Sequence, residues 1–382
     1  MDQAELNRAV DAHDRFINSK GGGQRLVLRF ETLDGLLMVG RDLREAHFLS
    51  CSMVGCQLRG TRLNGANLFG SDLSCANLSD AVAIRADMRG VLLRGADLCN
   101  SDFTEADFRP GEVLVAPSET GSLGQKSRRV ADVSGAKLSG VNLSRANLTQ
   151  AEGSNADFSH CVMRNAKLAG AKLKHASFAD AALEGSDFSN CNLEGAFLAG
   201  AVVTGTTFKN AITVGADMSN QVQEPTAQAI ARRPALVEAL AGHQVWCLTH
   251  GKQGSQACVE KEDLRVIQSE LIGAELVGLK ASGAVMIGLN LSGASLQAAD
   301  LSGADLREAS LPDADLRGAN LAGANLSRSN LQGAQISDLV LGAATKRINL
   351  SQTQFGHADL RGAKVSQLDL LSSNTQHARF RS

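Results

Sequence analysis

Tyrosine is absent from the sequence, tryptophan occurs once, and aromatic residues make up only 4% of 382 positions. A conventional mixed core draws much of its buried area from aromatic rings. The interior here must therefore be assembled from small and aliphatic side chains. Long apolar runs are also missing. No stretch approaches the roughly 18 uninterrupted apolar residues of a membrane span, and the N-terminus MDQAELNRAVDAHDRF has no apolar segment to act as a signal peptide. A cytoplasmic protein with no membrane partner is expected. A surplus of one charge is lacking too, with a formal net charge of −2 and a pI of about 6.5. That leaves no global attraction to polyanions, so no direct nucleic-acid binding is expected. The eight cysteines form no CxxC pair, and the eight histidines show no metal-ligand spacing. Neither a zinc site, a redox pair nor any cofactor is indicated. GSLGQKS, at 121–127, lacks the Gly-Lys-Ser/Thr order of a phosphate loop. No catalytic residue is assigned, and the chain is read as a non-enzyme.

What the sequence does have is a period of five. From Leu43 a large apolar residue recurs through Phe48, Met53, Leu58, Leu63, Leu68, Leu73 and Leu78, then Met88, Leu93, Leu98, Phe103 and Phe108. A small residue stands two places before most of these centres, Asp or Asn often lies between, and Gly is frequent two places after, as at Gly60, Gly65 and Gly90. This period fits neither a helix nor a long alternating strand. It fits a short extended segment that ends in a turn. The centre and the small residue before it then point inward, because side chains alternate across an extended backbone. The remaining residues face solvent or form the corner, where Gly and Asn take turn conformations at little cost. Cys51, Cys56, Cys161 and Cys191 fall on the small inward position and read as buried free thiols. Phe158 and Phe178, like Phe188 and Phe208, are 20 residues apart, which predicts stacking across one 20-residue coil.

The pattern Ala-(Asp/Asn)-Leu-X-X, as in Ala66-Asn67-Leu68 and Ala96-Asp97-Leu98, resembles the pentapeptide repeat family. The resemblance covers most of the chain. It implies an all-β solenoid, a right-handed quadrilateral β-helix with four pentapeptides per coil.

The phase of Leu43–Phe108 resumes at Leu138 and runs to Met218. Between them a loop at 109–130 is inserted without loss of register. Solenoid insertions often carry binding, so its cations Arg109, Lys126, Arg128 and Arg129 are candidate partner contacts. A second array begins near Leu271 and reaches Leu341; a slip within 342–349 reads as a one-residue deletion, after which Leu350, Phe355 and Leu360 continue in a new register. Leu6, Val10, His13 and Phe16 share the offsets of Leu236, Leu240, His243 and Trp246. Each set marks one face of a helix, followed by a glycine-rich turn and an array, and Pro234 is read as lying in the first turn of the second helix. The expected organisation is a capping helix and turn at 1–25, a first solenoid at 26–218, a linker with a second capping helix at 219–257, and a second solenoid at 258–382. Each helix covers the unpaired backbone of a solenoid end. His13 and His243 are expected to hydrogen-bond to the first coil.

Function then falls to a flat, polar, repetitive surface: a non-enzymatic scaffold for a protein partner whose identity the sequence does not name. The repeats run on to Phe380 without a covering helix, which predicts a homodimer through the C-terminal coils. The resemblance supplies an alternative. The best-characterised family members include quinolone-resistance proteins that bind DNA gyrase, are interpreted as acidic mimics of duplex DNA and are joined as dimers through their C-terminal ends, so modulation of gyrase or another topoisomerase is the second expectation. Against it, duplex DNA carries a charge about every 1.7 Å, whereas Lys137, Lys167 and Lys172 here lie among Asp157 and Asp187. Phe69 and Phe197 face outward by register and could mark a contact surface.

Overall fold

The computed structural model describes residues 1–114, 126–365, 369–376 and 378–380. The chain divides into two compact units, Met1–Glu224 and Pro225–Ser382, each with its own apolar core. Within each unit the residue before a centre bridges its counterpart 20 positions on, in parallel: Thr32 to Ser52 to Asp72 to Leu92, and Lys280 to Asp300 to Asn320. Four pentapeptides therefore make one coil. Neighbouring coils are joined by backbone hydrogen bonds on both sides of each bridge, as where Leu58 donates to Asn77 (2.7 Å) and Asn77 donates to Cys56 (2.9 Å). Continuous strands are few because a turn breaks each extended segment after about three residues. Among the described residues those that form are β1 (Val27–Arg29) with β2 (His47–Leu49), a hairpin of β3 (Gly111–Leu114) and β4 (Lys126–Arg129), β5 (Gln335–Ile336) with β8 (Lys364–Val365), and a hairpin of β6 (Leu339–Leu341) and β7 (Ala344–Lys346).

The corners explain the choice of residues. The last position of a pentapeptide takes a positive φ, +67° at Gly185 and +59° at Asn100, a region that Gly and Asn enter most readily. At Gly185 a Cβ would also lie 2.5 Å from Asn165 Oδ1 of the previous coil. The Asp or Asn before the centre has its own part in the turn. Its Oδ1 accepts the N–H of the residue after the centre, as in Asn67 with Phe69 (2.9 Å) and Asp97 with Cys99 (3.0 Å).

Inside, Leu and Ala fill the coils, and all four inward cysteines are buried. Phe158 and Phe178 stack at 4.9 Å, and Phe188 and Phe208 at 5.3 Å. Small inward residues with a hydroxyl satisfy it on a carbonyl, as Thr61 does on Leu58 and Ser71 on Phe48, both at 2.7 Å. Gly153 stands where a large centre is due. A Cβ there would meet Leu173 at 3.0 Å and Val133 at 3.1 Å, so these neighbours take the missing side chain's space.

Among the described residues three insertions leave the ladder intact, the shortest being two residues in the first coil of the second unit, where Cys258 bridges Lys280 and Asp263 bridges Val285. Leu92 bridges Asp132, so the β3–β4 insertion adds one full coil's length. Asn320 bridges Asn349 where Asp300 bridges Asn320, so nine residues are inserted between Ile336 and Leu350. This corrects the reading of a one-residue deletion at 342–349. Nine is one short of two pentapeptides, so periodicity alone registers a loss of one. Leu341 is accordingly no repeat centre; it lies in β6, exposed.

Helix α1 (Gln3–Ile17) opens with a capping box, in which Asp2 accepts from the Glu5 N–H and Glu5 accepts from the Asp2 N–H, both at 2.8 Å. Helix α2 (Ala227–Leu248) is capped by Thr226. Pro234 lies inside α2 and not in its first turn. The ring costs the helix one hydrogen bond, to the carbonyl of Ile230, and both residues are exposed to water, which can take up that carbonyl. No helix among the described residues is long and apolar enough to cross a membrane.

Candidate interaction surface

The structure places the two helix sets alike. Leu6, Val10 and His13 are buried on the face of α1 that meets the first coil, and Phe16 stacks on His13 at 6.0 Å. The Leu26 N–H donates to His13 Nδ1 at 3.1 Å, and Nε2 lies 3.0 Å from the Arg44 carbonyl. Nδ1 must then be the acceptor, so the ring is the neutral tautomer with its proton on Nε2. Burial lowers its pKa. In α2, Leu236, Leu240 and His243 are buried, Trp246 stacks on His243 at 5.5 Å, and the Ala257 N–H donates to His243 Nδ1 at 3.1 Å. Burial lowers the His243 pKa as well, against a backbone hydrogen bond at Leu276.

Three of the four cations singled out from the sequence lie in β4 of the first hairpin and Arg109 just before β3, and each is engaged within the chain. Arg109 grips Asp107, Lys126 lies 3.7 Å from Glu112, and Arg128 donates to Gln150. Arg129 donates to the carbonyls of Gly90 and Gly70, tying β4 back over two earlier coils; burial lowers its pKa. Val113 packs on the same corner, where a Cβ on Gly70 would stand 2.8 Å from it. Phe69 is half-buried beneath Arg89, 5.2 Å from its ring, whereas Phe197 is exposed. Most of GSLGQKS lies outside the described residues.

The second hairpin repeats this construction and was not anticipated. Leu339 packs on the corner at Gly318, as Val113 does at Gly70, and Lys346 Nζ donates to the Ala298 carbonyl at 2.8 Å. Its outer side is apolar: Val340 is 66% and Leu341 62% exposed. Leu341 faces a groove lined by Trp246, Leu248, Val277 and Glu275, with Leu248 itself 74% exposed. The available signal was Leu339-Val340-Leu341, three apolar residues with no Asp or Asn before a centre. At the last coils Leu360, Ala363, Val365, Leu370 and Phe380 line a second apolar groove, beside an exposed Leu371.

The flat sides differ. Where Asp precedes a centre and Arg follows it, the Arg turns back onto that Asp: Asp42–Arg44, Asp87–Arg89, Asp263–Arg265, Asp305–Arg307, Asp315–Arg317 and Asp359–Arg361 all pair at 2.6–2.7 Å. Cross-coil pairs such as Arg85–Glu105 (2.6 Å) and Lys174–Glu194 (2.6 Å) neutralise more of the surface.

A family model for pentapeptide repeats matches eight times, within 38–109, 131–220 and 274–338, which is more than half of the chain. This chain belongs to the pentapeptide repeat family. Solved structures similar to this pentapeptide repeat protein include a trypsin-treated form of QnrB1, a plasmid-mediated fluoroquinolone resistance protein. The match has 20% identity over 56% of this chain and 96% of that one, with a TM-score of 0.41. Rfr23 from the cyanobacterium Cyanothece 51142 is 25% identical over 35% of this chain and 89% of its own, with a TM-score of 0.26. HetL from Nostoc sp. strain PCC 7120, involved in heterocyst differentiation regulation, is 18% identical over 99% and 94%, with a TM-score of 0.17. No curated protein matches the chain.

Proposed function

We propose that this pentapeptide repeat protein is a non-enzymatic scaffold that engages a protein partner through the hairpins at its coil corners, on a stack read from its family as a right-handed quadrilateral β-helix. The observation that carries this reading is the contrast between side and corner. On the sides, many carboxylates are paired with cations or bonded to turn N–H groups, while Val340, Leu341 and Leu248 present apolar area beside a groove. Adjoining exposed apolar residues of this kind favour association. Arg129 and Lys346 act in this reading as tethers that fix the hairpins, and the other cations of the first hairpin support it. The apolar groove at the last coils, with Leu371 80% exposed, supports a homodimer through that end.

Val340→Asp with Leu341→Asp should abolish capture of the partner while the circular dichroism spectrum stays unchanged. Full capture by this variant, and also by one in which 110–129 is excised in phase, would reject the hairpins as the binding elements. Modulation of gyrase is the subordinate reading, because so many carboxylates are neutralised within the chain. A salt-sensitive effect on a gyrase supercoiling assay would promote it.

A further inference from the structure

We propose that the two capping helices are acid-released latches, each held shut by one buried, neutral histidine. The geometry is the same in both units. His13 and His243 are 0% exposed, and each offers Nδ1 as acceptor to the first inward N–H of the coil it covers, Leu26 or Ala257, at 3.1 Å. A proton added at Nδ1 turns that acceptor into a donor pointing at a donor. The hydrogen bond is lost, a buried N–H is left without a partner, and a positive charge is placed in an apolar site. Lifting the helix relieves all three by hydrating the imidazolium.

The surroundings do little to stabilise that charge in place. Around His13, Asp14 on its own helix and Asp42 on the coil favour the imidazolium, while Arg25 opposes it. Those carboxylates are already committed, Asp42 to Arg44 and Asp14 to Arg41. Around His243 the helix contributes Trp246 and a neutral Cys247, 3.6 Å from Nε2, and the coil contributes backbone at Leu276, with Glu275 acting on Cys247. Farther along α2, Arg232–Glu262 and Arg233–Glu270 bind helix to coil with no histidine in either pair.

The direction follows from linkage. A lifted helix carries a histidine of pKa about 6.5, and the docked one is lower, so the open state binds the proton more tightly. Docking is at full strength above that value. Below it the opening constant rises by about tenfold per pH unit and per histidine, until the docked pKa is passed. What opening bares is the end of a parallel ladder, the type of edge that natural proteins cover.

Trp246 is the sole tryptophan and there is no tyrosine, so the fluorescence of the full chain reports on His243 alone. Hydrogen exchange and Trp246 emission are measured between about pH 7.5 and about pH 5, where a histidine switch operates. Amides of α1 and α2 should lose protection on acidification, after correction for intrinsic rates, while coil amides keep theirs, and Trp246 emission should change over the same range. His13→Asn and His243→Asn place a non-titrating acceptor near Nδ1 and should flatten each response separately. Should either variant fail to fold, exchange in the unmodified chain decides alone. Helix protection that holds across the range, or that is lost only together with the coils, overturns the proposal.

Discussion

The Asp or Asn before each centre shows how one position can serve both turn and surface. Its Oδ1 closes the turn onto the second N–H that follows, and where an Arg follows the centre it also holds the guanidinium. At Asp359, Arg361 and Gln332 bring the carboxyl down to about 2 from an ordinary 3.8. A depressed carboxyl stabilises the fold fully above the ordinary value and ceases to as the pH falls through its folded pKa. Denaturant titrations at pH 5 and at about pH 2 should therefore show a loss that is smaller, but not abolished, in Asp359→Asn, because Asp42, Asp132 and Asp315 are depressed as well. Gly153 tests packing in the opposite sense. Restoring the expected large residue with Gly153→Leu should lower stability by about 1–3 kcal/mol, because Leu173 and Val133 already fill the site; a raised melting temperature would mean that the site was empty.

Among the elements, the two helices were the more legible and the two hairpins the less. Identical offsets at Leu6, Val10, His13 and at Leu236, Leu240, His243 reveal a helix face, because a helix must bury one side. Truncation of Leu6 or Leu240 to Ala, each nearly fully buried, should cost about 2–5 kcal/mol in thermal or chemical unfolding of its own unit. The start of α2 was misplaced because Pro234 sits where a proline usually opens a helix, yet the exposed turn before it tolerates the missing bond. Hairpins leave no period of their own. The first was visible only as a gap, and the second disappeared because nine residues mimic a deletion in a count of five. The tethers were hidden for a different reason: Arg129 and Lys346 reach carbonyls on coils far back in the sequence, and no local pattern records such contacts. Arg129→Ala and Lys346→Ala should each raise hydrogen exchange within their own hairpin while the coil amides remain protected; coil exchange rising with them would show that the cations support the stack itself.

At the scale of the molecule, the period of five made the coil legible because each extended segment buries two residues and every coil repeats the same ladder. The division into units is carried by separate cores, one from Leu6 to Val203 and one from Leu236 to Leu360. Stability in such stacks is close to a sum over neighbouring coils. Residues 1–224 and 225–382 expressed apart should each melt cooperatively, and neither should depend on the other for its secondary structure; a unit that is unfolded alone would show that its core is incomplete. The ladder also closes again across a segment that is not a multiple of five. A corner of this kind counts hydrogen bonds between coils and is indifferent to the length of chain between them. Foreign peptides, whether an epitope or a protease site, can thus be spliced between β6 and β7 without re-phasing a single downstream repeat, which makes that corner a grafting point of known position along the stack.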